Sequence, residues 1–255
     1  LVEDIEESGI IKPVTIKELL KILKMYRRIC DNNAITEISM FTGNFFSKAK
    51  NIKSISEEIY NTCGFSLTIL TQEEEMKNIF TGAVNASDVQ KGMYFYVGEH
   101  SCYLIQFNRR NMLNASLIPY GIYDATKVLA SQGTLDEKVK AISSSFNEFY
   151  EKIDFGKKVD SETEVLCNGN LMRSIGKIAR KATKYPLDLE NNYVLSTENF
   201  NNVYALIENL GVDKTKKIKG ISSESSDKIF AGAILAKCFI ENLGALQVSI
   251  SSDDL

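Results

Sequence analysis

Lys91–Phe107 reads KGMYFYVGEHSCYLIQF. Met93–Val97 and Tyr103–Phe107 are rich in β-branched and aromatic residues, and Gly98 sits where the chain must reverse. The stretch predicts strand, tight turn, strand. The turn carries Gly98, Glu99, His100 and Ser101, with Tyr96 and Tyr103 on the strands either side. Turns of this kind can present backbone N–H groups and a small hydroxyl to an anion.

Working outward, Met112–Ile118 is a third successive strand. Upstream, a helix is predicted from about Val14 to Cys30, with Pro13 suited to its first turn and Ile16, Leu19, Leu20, Leu23 and Arg27 on one face. Ile35–Phe41 is a strand candidate, Ser54–Tyr60 a short helix, Ser66–Leu70 a strand, and Glu73–Thr81 a helix ending at Gly82. The polar segment Asn85–Gly92 marks a domain boundary. Downstream, a helix follows Gly121, and another uses Leu135, Val139, Ile142, Phe146 and Phe149. Glu164–Cys167 is a strand running into Asn168-Gly169-Asn170, before a helix with Leu171, Ile175, Ile178 and Ala182 inward. Ser196 caps a helix that stops before Gly211. Asp227–Leu243 is a long apolar helix, and Leu246–Ile250 a last strand. This pattern is a mixed-sheet α/β architecture.

The 255 residues carry 30 Lys and Arg against 33 Asp and Glu, a net charge of −3, and are 44% hydrophobic. That balance argues against a dedicated nucleic-acid binder. Cys30, Cys63, Cys102, Cys167 and Cys238 are odd in number, far apart and without a CxxC pair. They read as free thiols of a reducing compartment. No leader and no apolar run long enough to span a bilayer is seen, so a cytoplasmic location without a membrane partner is expected.

Several segments together resemble the exopolyphosphatase / guanosine pentaphosphate phosphohydrolase family. Thr68–Val84, TILTQEEEMKNIFTGAV, resembles that family's I-S-G-E-E-E-A-x-x-x-x-x-G-V. Leu117–Gly121, LIPYG, is similar to L-P-L-G. Tyr185–Ser196 resembles Y-P-L-x-x-x-x-x-Y-x-L-S, and Lys219–Ala233 resembles P-G-L-S-P-E-R-A-D-x-I-x-A-G-A. The similarity is collinear over essentially the whole chain. It implies the actin-like ATPase (ribonuclease H-like) two-lobed α/β fold, with a first lobe over 1–85 and a second over 86–255. It also implies phosphate chains held between the lobes, and Mg²⁺ as cofactor if the protein is active. The family opens with a hairpin carrying D-x-G-S-N-S. Leu1 falls after the place where that hairpin would end, which reads as a fragment or as loss of the hairpin.

The resemblance also implies the site. The family's second phosphate loop, D-I-G-G-G-S-T-E, falls on Tyr96–Tyr103, so both carboxylates become tyrosine and two glycines become Glu99 and His100. A glutamate there would crowd and repel phosphate. T-S-x-x-R falls on Gly43, Asn44 and Ser47 without its arginine. G-T-G-G-T falls on Leu166–Asn170 with Gly169 alone retained, and S-D-A-G-L on Ser251–Leu255. The general base aligns with Glu75, which would take a proton from the attacking water. The expected site is therefore vestigial: Glu75 as base, Gly98, Ser101 and Gly169 toward phosphate, and no metal ligands.

Each of these has a plainer reading. Glu73–Glu75 is also an acidic first helical turn complementing the helix dipole. His100, the single histidine, suggests a metal or a Cys–His pair with Cys102, but partners from elsewhere are lacking and a turn histidine is the simpler reading. Basic groups at Lys21, Lys24, Arg27 and Arg28, at Lys177, Arg180, Lys181 and Lys184, and at Lys214–Lys219 read as exposed helix faces and a loop rather than a polyanion track. Three functions remain open. The first is a catalytically impaired family member binding polyphosphate or guanosine polyphosphate, or regulating. The second is an active Mg²⁺-dependent phosphohydrolase releasing terminal phosphate. The third is a homodimeric scaffold.

Overall fold

The computed structural model describes residues 1–187, 191–210 and 226–252, with only the backbone of 226 and 227. The chain divides into two compact units, Leu1–Lys77 and Asn78–Leu255. The division falls inside helix α4 (Gln72–Asn85).

In the first unit, α1 (Val2–Ser8) and α2 (Pro13–Asn32) precede β1 (Met40–Thr42), a 3-10 turn at Asn44–Lys48, α3 (Ile52–Cys63) and β2 (Leu67–Ile69). β1 and β2 pair in parallel. The core joins Leu20 and Leu23 of α2 to Ile55, Ile59 and Cys63 of α3 and to Phe65. Two side chains bind the α1–α2 connection. Asp4 accepts from the Lys12 amide at 3.0 Å, and Asn51 bonds both the N–H and the C=O of Ile11, at 3.0 and 2.9 Å. The strand expected over Ile35–Phe41 shrinks to Met40–Thr42. After α2 the chain turns through Ala34 at positive φ, Ile35 bonds back to Cys30, and Ile35 lies exposed. On α2 the face away from the core is also apolar: Val14, Ile22, Met25 and Ile29 are exposed.

The second unit is built on a sheet in the order β5-β4-β3-β6-β8-β7. These strands are β3 (Lys91–Val97), β4 (Cys102–Asn108), β5 (Asn111–Ile118), β6 (Glu164–Asn168), β7 (Tyr193–Ser196) and β8 (Gln247–Ile250). β3, β4 and β5 form an antiparallel meander, β3–β6 and β6–β8 are parallel, and β7–β8 is antiparallel. The helices are α5 (Ile122–Ala130), α6 (Leu135–Tyr150), α7 (Asn170–Ala182), α8 (Thr197–Leu210) and α9 (Ser226–Leu243). The period of two on β3 sends Met93, Phe95 and Val97 into the core they share with α5, α6, α7 and α9. Phe239 of α9 stands at its centre, stacked on Phe95 with centroids 5.0 Å apart and edge-on to Phe146 at 4.9 Å. On the other face, Tyr94 and Phe107 pack against Phe80 from the end of α4, each at 5.5 Å.

The three-strand meander, α5, α6, α7, α9 and β8 follow the sequence expectation, and Ser196 caps α8 through the Asn199 amide at 3.2 Å. Gly211 and Lys214–Lys219 lie outside the described residues. α4 does not stop at Gly82: Ala83 and Val84 are fully buried, and that burial carries the helix to Asn85. α1 and β7 were not anticipated. The basic cluster on α7 is not wholly a solvated face, because Arg180 is buried over the Tyr193 ring at 5.1 Å. Among the described residues no helix is long and apolar enough to cross a membrane.

Two outcomes test this packing. Phe239→Ala removes a fully buried ring and should cost about 3–5 kcal/mol, read by denaturant unfolding. The Asp4 carboxyl is held below its ordinary pKa, first by the Thr15 hydroxyl and then by the Lys12 amide. Its stabilisation is present above the unfolded carboxylate value of about 3.9 and is lost as pH falls through the lowered folded value. The gap in thermal midpoint between wild type and Asp4→Asn should therefore be open at pH 7 and narrow steadily below about pH 4; a gap that widens in acid contradicts the assignment.

Candidate functional site

The site-bearing hairpin is held at its turn by the helix that follows the meander. Gly98 N–H bonds the Ser101 carbonyl at 3.1 Å. The first amides of α5 then take the turn's carbonyls: Ile122 N–H bonds Gly98 at 3.0 Å and Tyr123 N–H bonds Glu99 at 2.8 Å. Asp124 closes that helical turn by accepting from the Gly121 amide at 3.0 Å. The approach leaves no room for a side chain at Gly121, where a Cβ would lie 2.5 Å from the Glu99 carbonyl oxygen and 2.6 Å from the His100 carbonyl carbon.

Tyr96 and Tyr103 are direct partners across β3 and β4. Their rings stack with centroids 5.7 Å apart and planes within 16°. The Tyr96 ring also lies against two glycines. Its Cε1 would be 2.8 Å from a Cβ on Gly98, and its Cε2 3.1 Å from a Cβ on Gly169. Gly169, at φ +95°, turns the chain from β6 into α7. Beneath, the Tyr94 hydroxyl donates to Asn168 Oδ1 at 2.8 Å, with both residues buried.

Beside the Tyr96 ring is a cavity of about 330 Å³. Gly98, Glu99, Gly169, Asn170, Ser174 and Lys228 line it among others. Two of the expected phosphate residues, Gly98 and Gly169, are thus brought together, while Ser101 is not part of the lining and serves the turn through its carbonyl. Glu99 and Lys228 form an ion pair at 2.9 Å. Lys228 and Ser174 were not anticipated, and Asn170 entered only as the last residue of the segment set against G-T-G-G-T. The Lys228–Glu99 partners are 129 residues apart, and nothing local in either segment announces the pair.

Glu75 belongs to the first unit, on the first turn of α4. Its Oε2 accepts from the Asn44 amide at 2.8 Å. Its Oε1 would lie 2.8 Å from a Cβ on Gly43. Glu74 has the separate task of capping α4: it accepts from the amide and hydroxyl of Thr71 at 2.8 and 2.9 Å, and these bonds hold its carboxyl below the usual range. Glu73 is solvated. The acidic run therefore divides into one capping residue, one free surface charge and one carboxylate bound to a loop amide.

His100 is partly buried and packs on the Tyr123 ring at 5.6 Å. Cys102 faces the opposite way, fully buried in the core, and burial pushes its thiol pKa up. A neutral core thiol is no nucleophile, so the Cys–His alternative has no geometric support. Among the described residues, no three His, Cys, Asp or Glu side chains converge where a metal ion could be held. Mg²⁺ wants carboxylate and other oxygen ligands. Among the described residues lining the cavity the one carboxylate, Glu99, is already matched by an ammonium, so the described residues do not fit Mg²⁺ here.

The sequence model of the Ppx/GppA phosphatase family matches residues 1–254. The chain belongs to that family. Solved structures share its fold at low identity. A Ppx/GppA family member from Aquifex aeolicus superposes with a TM-score of 0.84 at 17% identity, covering 100% of this chain and 82% of that one. An exopolyphosphatase from Cytophaga hutchinsonii gives 0.84 at 15%, covering 97% and 81%. A protein described as exopolyphosphatase-like gives 0.80 at 14%, covering 100% and 83%. No curated protein matches this chain by sequence. The expected mixed α/β architecture is the one that this Ppx/GppA member adopts.

The crowding at Gly121 is directly testable. Gly121→Ala drives a methyl into the turn backbone and should cost about 1–3 kcal/mol in denaturant unfolding, with loss of the turn's protection from amide hydrogen exchange. Unchanged stability and protection would mean that the α5–turn contact does not hold the hairpin.

Proposed function

We propose that this Ppx/GppA member is catalytically impaired and acts by binding a phosphorylated ligand, polyphosphate or guanosine polyphosphate, without hydrolysing its anhydride bonds. The observation that carries the reading is the Tyr96 ring, stacked on Tyr103 and wedged against Gly98 and Gly169. By the resemblance of Tyr96–Tyr103 to D-I-G-G-G-S-T-E, these tyrosines stand where the family's second phosphate loop carries its two carboxylates. Phosphoryl transfer is catalysed almost wholly by positioning and charge neutralisation. A ring in that space supplies neither, and the one carboxylate among the described lining residues is paired with Lys228. Glu75 supports the same reading, because as a base it would act on a water while its Oε2 is engaged by the Asn44 amide. A base without a metal and a phosphate clamp contributes little. The glycines at 98 and 169, with Ser101 at the turn, are the retained part of the phosphate frame. The free thiols fit a reducing, cytoplasmic setting.

The homodimeric scaffold has one observation behind it, the exposed apolar stripe of Val14, Ile22, Met25 and Ile29 on α2. A single-protomer mass by sedimentation equilibrium would remove that reading.

The test of the main reading is phosphate release from polyphosphate and guanosine pentaphosphate with Mg²⁺ present. Release should stay at background for the wild type and for Glu75→Gln alike. Turnover by the wild type that vanishes in Glu75→Gln overturns the proposal.

A further inference from the structure

We propose that Glu99 is a built-in competitor for an anionic ligand of Lys228: the carboxylate sits where a phosphate group would be held, and a phosphate group enters by displacing it. The inference rests on the ligand-binding half of the proposed function and deepens it by naming the cation and the acid that guards it.

Both charges line the same cavity, Glu99 from the hairpin turn and Lys228 from the first turn of α9. They meet at 2.9 Å. Among the described lining residues Lys228 is the single cation and Glu99 the single acid, so an approaching anion meets no net charge until the pair opens. Opening is easy. Each side chain is 46% exposed, and exposed pairs of this kind contribute little because water screens both partners. The turn that carries Glu99 is fixed through its own carbonyls to α5, so the carboxylate can swing away with the backbone unmoved. Once released, the Lys228 ammonium belongs to a cavity that Asn170 and Ser174 also line. Its volume of about 330 Å³ is at the lower end of the range that holds small ligands, roughly 300–1,000 Å³, which suits a phosphate group or the end of a phosphoanhydride chain.

The charge arithmetic gives the expected direction for each variant. Glu99→Gln removes the competitor and its repulsion of an anion while keeping shape. Lys228→Met removes the cation and keeps the aliphatic stem. The probes are inorganic phosphate and tripolyphosphate, titrated calorimetrically without metal into the full chain at low and moderate salt. Glu99→Gln should bind about two- to fivefold more tightly than wild type, the range an exposed ion pair can withhold. Lys228→Met should lose most of the binding, and the double variant should behave like Lys228→Met. Orthophosphate binding as tightly as tripolyphosphate marks a site for a single phosphate group, and a preference for tripolyphosphate marks a chain end; either agrees with the proposal. Thermal midpoints of the free variants are read alongside. Variants that are folded but bind tripolyphosphate as wild type does would make the pair a structural latch and overturn this inference alone. No binding by any variant overturns the inference and the ligand-binding reading together. Tighter binding by Lys228→Met, or an Mg²⁺-induced rise in midpoint that disappears in Glu99→Gln, would reassign the cavity to a cation and also overturn it. Phosphate release in the same samples reports separately on catalysis.

Discussion

Strand β3 is paired along its length on both sides, antiparallel to β4 and parallel to β6, and most of the second unit's geometry follows from that double pairing. With both edges taken, β3 cannot slip by a residue without turning its whole apolar set outward. Met93, Phe95 and Val97 are committed to the core beneath α5, α6 and α9, and Tyr94 and Tyr96 to the opposite face. Tyr96 is therefore placed by the sheet rather than by its own contacts. β6 brings Gly169 alongside, β4 brings Tyr103 directly opposite, and the ring has one place to go.

A second constraint acts at the turn. The first amides of α5 would otherwise lack partners, and they take the carbonyls of Gly98 and Glu99. The helix start and the hairpin turn satisfy each other, and Gly121 is the residue that lets them approach. This fixes the turn backbone while leaving the Glu99 side chain about half exposed. Glu99 then pairs with an opposite charge from a remote segment, Lys228. Glu75 does the same in the first unit, where its carboxylate accepts a loop amide. In both cases an acid is satisfied by a group of the protein itself, and that weakens the argument for either as a reagent toward substrate.

The identity of the family and the proposed impairment of its chemistry are separate questions, and they rest on different residues. Membership follows from the match over residues 1–254, and the fold from the frame that residues such as Phe239, Phe95 and Phe146 build. The proposed function turns on a handful of positions around residues 96–103 and 169, where the resemblance sets tyrosine, glutamate and histidine against the family's carboxylates and glycines. A frame can persist while its chemistry changes, because packing constrains the buried face and leaves the site-facing residues to vary.

The sequence by itself determined the elements whose signal is local. The hairpin of β3 and β4 announced itself by β-branched and aromatic runs around Gly98, α6 by helical period, α9 by a long apolar run, and the Ser196 cap by residue type. The local pattern marked the turn at Gly98 between Tyr96 and Tyr103, and the family resemblance added Gly169. Only the tertiary structure decided the rest, because it depends on partners remote in the chain. β7 exists because β8 offers it an edge. α4 outlasts Gly82 because Ala83 and Val84 have a core to enter. Arg180 is buried because Tyr193 covers it. The pairing of Glu99 with Lys228 across 129 residues is the clearest case: each charge alone looks like a solvated side chain, and only folding brings the two within an ion pair's reach beside one cavity.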